Sequence, residues 1–326
     1  MRAPFGHELW FVDRAHDRDW SFATEPATLG LLAGAVVLTL AVRVLADFRP
    51  GVTLSLPARL VPWMPFAVRI HLAVSLVGLL SAGYYLAPTM ELGLTLGGVV
   101  LGLVMAVTAV LLVTGWRTRL GALVLVAAGP IGIAVYGFGP VLQRIDLLGL
   151  ALFLVLTGGG RWSADEERGR TSEPSEERLG QAIWVLRVAV GVALIAVAFA
   201  EKLANPDLAL TFTDASGVDF NVAEAVGLPV GDLEFVRIAG AIEVLFGLLI
   251  LSGALPQLIV LAAGIPFNVT LYFFGTIELL GHLPIYAAML VLLVYGSSPV
   301  LRPWCSELWP WSRASRDRVV EALARS

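Results

Sequence analysis

Apolar runs of nearly constant length recur along the chain, separated by short stretches where charge and proline collect. A helix that crosses a bilayer needs about 20 mostly apolar residues. On that measure the pattern predicts about nine transmembrane helices, at 28–47, 65–87, 92–115, 119–137, 141–157, 182–204, 234–253, 256–275 and 281–297. Pro130, Gly137, Gly139 and Pro140 interrupt the fourth and fifth runs. Neighbouring helices can satisfy the backbone groups freed by such breaks. The expected fold class is therefore an all-α membrane protein.

The runs also repeat. RIHLAVSLVGLLSAGYYLAP from Arg69 lies over RVAVGVALIAVAFAEKLANP from Arg187 at a shift of 118. PIGIAVYGFG from Pro130 lies over PFNVTLYFFG from Pro266 at a shift of 136, and the longer loop of the second copy accounts for the change of shift. Four spans return the chain to its starting side, so the two copies are expected to run in parallel about an axis near the membrane normal, unlike inverted transporter repeats. The resulting division is 1–60 for a tail, one helix and a loop; 61–160 for a first, degenerate repeat; 161–181 for a charged linker; 182–299 for a second repeat; and 300–326 for a Trp-rich basic interfacial tail.

Composition agrees with a bilayer. Charged residues make up 15% of the chain and hydrophobic ones 57%, against about 25% charged in ordinary soluble domains. Residues 1–27 carry His7, Glu8, Asp13, Asp17, Asp19 and Glu25, which argues against a cleavable signal. Arginines gather in the 48–64 loop, the Arg117/Arg119 turn, the 158–181 linker and the C-terminal tail. Positive charge stays in the cytoplasm, so the N-terminus is expected outside and the C-terminus inside. The outer loop 205–233 is then acidic, and its stretch FNVAEAVGLP reads as a lid or short interfacial helix. No basic stripe interleaved with aromatics points to nucleic acid. Cys305 is the only cysteine, so thiol redox chemistry would fall to a partner.

Polar residues inside the spans are concentrated in the second copy. Glu201, Lys202, Arg237, Glu243, Asn268, Glu278 and His282 stand where the first copy has mostly glycine, tyrosine and apolar residues, with Asp146 opposite His282. Lys202 is the chain's one lysine among 22 basic residues. The second copy resembles the DoxX/DoxD group of small four-helix bacterial membrane proteins. The resemblance rests on Arg187 and Gly191, on Glu201-Lys202-Leu203, on Gly227-Leu228-Pro229, and on Glu243, Gly247 and Gly253. It covers about 182–297, with a degenerate copy over 65–160. It implies a membrane subunit of a redox system, with quinone as cofactor and a soluble or membrane oxidoreductase acting on thiols or sulfur compounds as partner.

The polar residues also carry a reading independent of the resemblance. A charge inside a bilayer costs at least ~2.5 kcal/mol, so such groups face one another or a wet cavity. Glu243 lies nine residues beyond Glu234, about 13 Å down the helix by its rise. There it reads either as an interhelical hydrogen bond that fixes packing or as a proton-exchanging carboxyl. Glu243 and His282 are the candidate catalytic residues, and Glu201, Lys202, Arg237 and Asn268 the candidate ligand contacts. Glu201 and Lys202 also suit a helix anchor, His282 an interfacial position and Asn268 a buried polar contact. Ala239, Gly240 and Gly247 share the Glu243 face and would admit a close helix. Neither a metal nor haem is expected: histidines are scattered, and His71 and His282 fall at opposite membrane sides. A scaffold that docks a partner enzyme and a proton-coupled transporter are the alternative readings.

Overall fold

Pro26 opens the first long helix, where its missing N–H costs nothing and its fixed φ favours a helical turn. In this computed structural model the described residues are 18–49, 51–170, 173–216, 221–225, 227–274, 276–312 and 317–321. The expectations placed on His7, Glu8, Asp13 and Asp17, on Asp219, and on Arg313, Arg316 and Arg325 fall outside them, as do the side chains of Asp214 and Glu278. The principal helices are α1 (Pro26–Phe48), α2 (Met64–Ser81), α3 (Leu96–Thr114), α4 (Thr118–Tyr136), α5 (Ile145–Thr157), α6 (Glu176–Ala198), α7 (Asp232–Ser252), α8 (Pro256–Phe274) and α9 (Thr276–Ser297). Among the described residues there is no strand, and the one β-bridge pairs Tyr84 with Glu91.

Among the described residues six helices are long and apolar enough to cross a membrane: Pro26–Phe48, Val61–Ser81, Leu96–Thr114, Thr118–Tyr136, Glu176–Leu203 and Asp232–Ser252. Their outward faces are apolar. Val37, Leu40 and Val44 of α1 and Leu103, Val107 and Val110 of α3 are all exposed. An apolar surface this extensive is matched by lipid and not by water. The protein is a helical, multi-pass membrane protein.

Helix α2 packs on α3, α3 on α4, α4 on α5, and α5 back on α2. In the second half α6 packs on α7 and α8 on α9, with lighter contacts from α7 to α8 and from α9 to α6. The halves join reciprocally, α6 on α5 and α9 on α2, over a shared apolar core. Helix α1 lies against α7.

Several boundaries differ from the hydropathy pattern for local reasons. Helix α6 begins at Glu176, six residues before its apolar run, because the Ser175 hydroxyl accepts from the Arg178 N–H and Glu176 and Glu177 complement the helix dipole. Helix α2 stops at Ser81. Gly83 then adopts φ 83°, and the chain folds into a turn that buries Tyr85, whose ring stacks on Tyr136. Helix α5 starts at Ile145, after a short helix at Phe138–Gln143. In the C-terminal segment Trp304 is buried, its indole packed on Gly180, while Trp309 and Trp311 are exposed and pack edge-on against Trp184.

One end of the bundle carries the same device twice. Gly115 ends α3 at φ 65° and Arg117 follows at φ 49°; Gly253 ends α7 at φ 66° and Leu255 follows at φ 41°. A buried arginine fills the space left by each absent Cβ, Arg69 at Gly115 and Arg187 at Gly253. Each guanidinium then donates to the backbone of a following loop. Arg69 Nη2 reaches the Trp162 carbonyl at 2.8 Å, and Arg187 donates to the Cys305 carbonyl and, at 2.9 Å, to that of Glu307. The helix bounds Thr118–Tyr136 and Pro256–Phe274 put these turns 138 residues apart (256 − 118), two more than the alignment on Pro130 and Pro266.

Cys305 is enclosed by this packing. Burial pushes its thiol up to about 12, although Arg187 and Arg302 pull the other way. A thiol held that high stays protonated through neutral pH, and the thiolate is the reactive form. Maleimide labelling of the folded protein near neutral pH is expected to be negligible and to appear only after denaturation; ready labelling of folded protein would contradict the buried placement.

Candidate functional site

At the opposite end, α6 does not stop where α2 stops. It continues as one π-helical turn, Phe199–Leu203, in which the Ala204 N–H donates to the Phe199 carbonyl at 2.8 Å. Glu201 and Lys202 occupy the positions that match Gly83 and Tyr84 at the 118-residue shift, so the two halves diverge in backbone as well as in side chain. A π turn adds a residue to the turn and re-aims the side chains it carries. Here it buries Glu201 and turns Lys202 toward α7.

On α7 the residues Gly240, Glu243 and Gly247 follow helical spacing on one face. A Cβ at Gly247 would lie 2.8 Å from the Gly191 carbonyl oxygen, and one at Gly191 would lie 2.8 Å from the Gly247 carbonyl oxygen. A Cβ at Gly240 would lie 2.7 Å from Leu203 and 3.2 Å from the Lys202 Cβ. The two backbones therefore touch through glycines, and between these contacts the Lys202 ammonium meets the Glu243 carboxylate at 3.0 Å. Lys202 is mostly buried, whereas the Glu243 side chain is 32% exposed.

Along this antiparallel seam Arg187 meets Gly253, Gly191 meets Gly247, and Lys202 meets Glu243. The spacing of these residues along the two helices follows from their being mutual contacts. Substituting alanine for Gly247 forces the seam apart against backbone as well as Ile195, and is expected to cost about 1–3 kcal/mol. Thermal unfolding in detergent checks this; an unchanged midpoint would mean the seam is looser than described.

His282, on α9, is buried, with its ring edge-on to Phe267 at 4.7 Å and to Tyr286 at 6.3 Å. Arg144 enters from the other half, donates to the Gly281 carbonyl at 3.3 Å and lies 3.8 Å from buried Asp146. Lys202 and Glu243 thus form one pair, while Arg144, from just before α5, reaches the turn of α9 that carries His282 and has Asp146 beside it. Spacing in the sequence gave no signal for Arg144, because it precedes α5 and becomes a partner of α9 only through the contact between halves.

Two candidates lie elsewhere. Arg237 turns toward α1: it pairs with Glu25 at 2.7 Å and Glu234 at 3.0 Å, donates to the Thr28 hydroxyl at 3.0 Å, and stacks over Phe22. It ties α1 to α7 and does not face Glu243. Asn268 is exposed on α8 and donates to its own helix, at the Gly264 carbonyl, 2.7 Å away. Asn205, which the sequence did not single out, is buried just after the π turn.

Fold and seam define a multi-pass helical membrane protein with an intramembrane ion pair between two close-packed helices. Comparison of the chain with protein-family models, with curated proteins and with solved structures finds no match.

Proposed function

We propose that the protein is the integral membrane subunit of a redox system and that it handles a quinone at the Lys202–Glu243 seam. In this reading it has nine transmembrane helices in two parallel, DoxX-like four-helix repeats plus α1, and lies in a bacterial plasma membrane with its N-terminus outside. The observation that carries the reading is the 3.0 Å ion pair, held at a glycine-lined contact and partly open on the Glu243 side. A structural anchor needs no such opening. A lipophilic ligand entering from the bilayer would meet an ammonium and a carboxylate side by side.

Those groups suit a quinone. When bound, a quinone supplies two-electron, two-proton chemistry. A dithiol partner would be the donor: its two S–H bonds break, an S–S bond forms, and two electrons and two protons pass to the quinone oxygens; a reduced sulfur compound without S–H bonds would give the two electrons as its S–S bond forms, with the protons taken from water. Lys202 would hold a ligand oxygen and Glu243 would exchange a proton, while His282, buried on α9, would stay a neutral imidazole. The buried Cys305 takes no part, so the sulfur chemistry belongs to the partner oxidoreductase. Lipid extracts of protein purified in mild detergent test the reading. Stoichiometric quinone in wild type and its loss in Lys202→Met support it; equal quinone in both would overturn it.

A further inference from the structure

At the arginine-rich end, the start of α4, the glycines that follow α5 and the segment after them border an open cavity of about 370 Å³ lined by Arg117, Arg119, Leu120, Gly158, Gly159, Asp165 and Arg170. Its lining carries three guanidinium groups and one carboxylate. Asp165 is committed elsewhere: its two oxygens accept from the backbone N–H groups of Arg117 and Thr118 at 2.9 and 3.0 Å, which caps the start of α4. The helix terminus is therefore already satisfied, and around the cavity three guanidinium charges outnumber the one carboxylate. The Asp165 carbonyl accepts from the Arg170 N–H at 2.8 Å and holds that residue at the rim. Arg117 is held by stacking over Trp116.

The matching turn in the other half is filled. Gln257 stands 138 residues after Arg119 (257 − 119), two residues beyond the left-handed Leu255 as Arg119 is beyond the left-handed Arg117. Its side-chain amide accepts from the Val52 N–H at 3.2 Å and donates to the Val52 carbonyl at 2.8 Å. Arg302 holds the same loop through the Gly51 carbonyl and the Thr53 hydroxyl. One turn thus closes on polar groups of the chain itself, and the other presents arginines to an open space.

We propose that this space binds the phosphate of an anionic phospholipid headgroup. A planar guanidinium fork matches phosphate oxygens, and three of them on one cavity give it a net positive lining. The lipid source follows from what borders the cavity. Trp116 and Trp162 are exposed in the manner of interfacial aromatics, and exposed Leu120 and Leu123 continue from the cavity along the outer side of α4, where acyl chains would lie.

The test uses full-length protein stripped of lipid in detergent and then offered phosphatidylglycerol, phosphatidylcholine or inorganic phosphate, with binding read by native mass spectrometry and by thermal shift. Phosphatidylglycerol should be retained in preference to phosphatidylcholine. Arg119→Gln/Arg170→Gln should weaken its retention roughly 25-fold, about fivefold for each arginine removed, while a charge-matched Arg59→Gln/Arg178→Gln control should not. Arg119→Lys keeps the charge and should lose only part of the affinity, which guards against a misfolded double variant. If inorganic phosphate binds and displaces the lipid, the phosphate is the recognised group; if the lipid binds and free phosphate does not compete, recognition needs the lipid as a whole. Equal retention of phosphatidylglycerol by the cavity variant and the control, or equal retention of both lipids by wild type, overturns the proposal.

Discussion

Replacing Arg187 with methionine is expected to destabilise the protein by about 3 kcal/mol or more. The side chain is almost wholly buried and donates to the carbonyls of Cys305 and Glu307. Methionine has comparable bulk and no donor, so both carbonyls are left in the interior without their partner, each at roughly 1–3 kcal/mol. Arg69 stands at the matching position and predicts a different outcome. Only its Nη2 has a carbonyl acceptor, while Nε and Nη1 are buried without a hydrogen-bond partner. Trading a poorly satisfied buried cation for an apolar side chain can be neutral, so Arg69→Met is expected to stay within about 1 kcal/mol of wild type. Unfolding midpoints of the two variants, measured side by side in one detergent, check the contrast. Equal losses would show that both arginines serve as equivalent struts.

The second large effect is functional. Glu243→Gln preserves the shape of the carboxyl and removes its charge, leaving the Lys202 ammonium without its carboxylate. If Glu243 exchanges protons with the ligand, quinone-linked turnover should fall about 100-fold, the usual scale for losing a positioned acid–base group. Lys202→Met should cost a similar amount. The double variant should be little worse than either single one, because residues that act as a unit are not additive. Steady-state assays with a soluble quinone and a dithiol donor in proteoliposomes measure all three. Undiminished turnover in Glu243→Gln, with its unfolding midpoint retained, would reject the carboxylate as a proton carrier and leave Glu243 with a packing role.

Much of this was legible in the sequence because bilayers impose a simple code. Each predicted apolar run overlaps helix among the described residues, six of these helices are long and apolar enough to cross a membrane, and the lone lysine beside Glu201 marked the end of α6 as unusual. Gly240 and Gly247 around Glu243 announced a close helix contact, and the structure places α6 there. The partners that depend on three-dimensional packing were hidden. Lys202 reaches Glu243 because a π turn re-aims it, and no propensity rule places such a turn. Arg237 was grouped with Glu243 since both lie on α7, yet six residues of helix separate their faces, and Arg237 is claimed by Glu25 across the α1 contact. Arg144 joins His282 through a contact between halves, which spacing within either half cannot show. Asn268 drew attention as a polar residue in an apolar run, but its amide is satisfied one turn back along its own backbone.

The account stands on Glu243 changing its protonation with the redox state of a bound quinone. Electrochemically induced infrared difference spectroscopy on protein reconstituted with quinone reads this directly. The predicted result is a carboxylic-acid carbonyl band that appears or vanishes as quinone and quinol interconvert and is absent in Glu243→Gln. A difference spectrum with no such band, or with one that survives in Glu243→Gln, would contradict it.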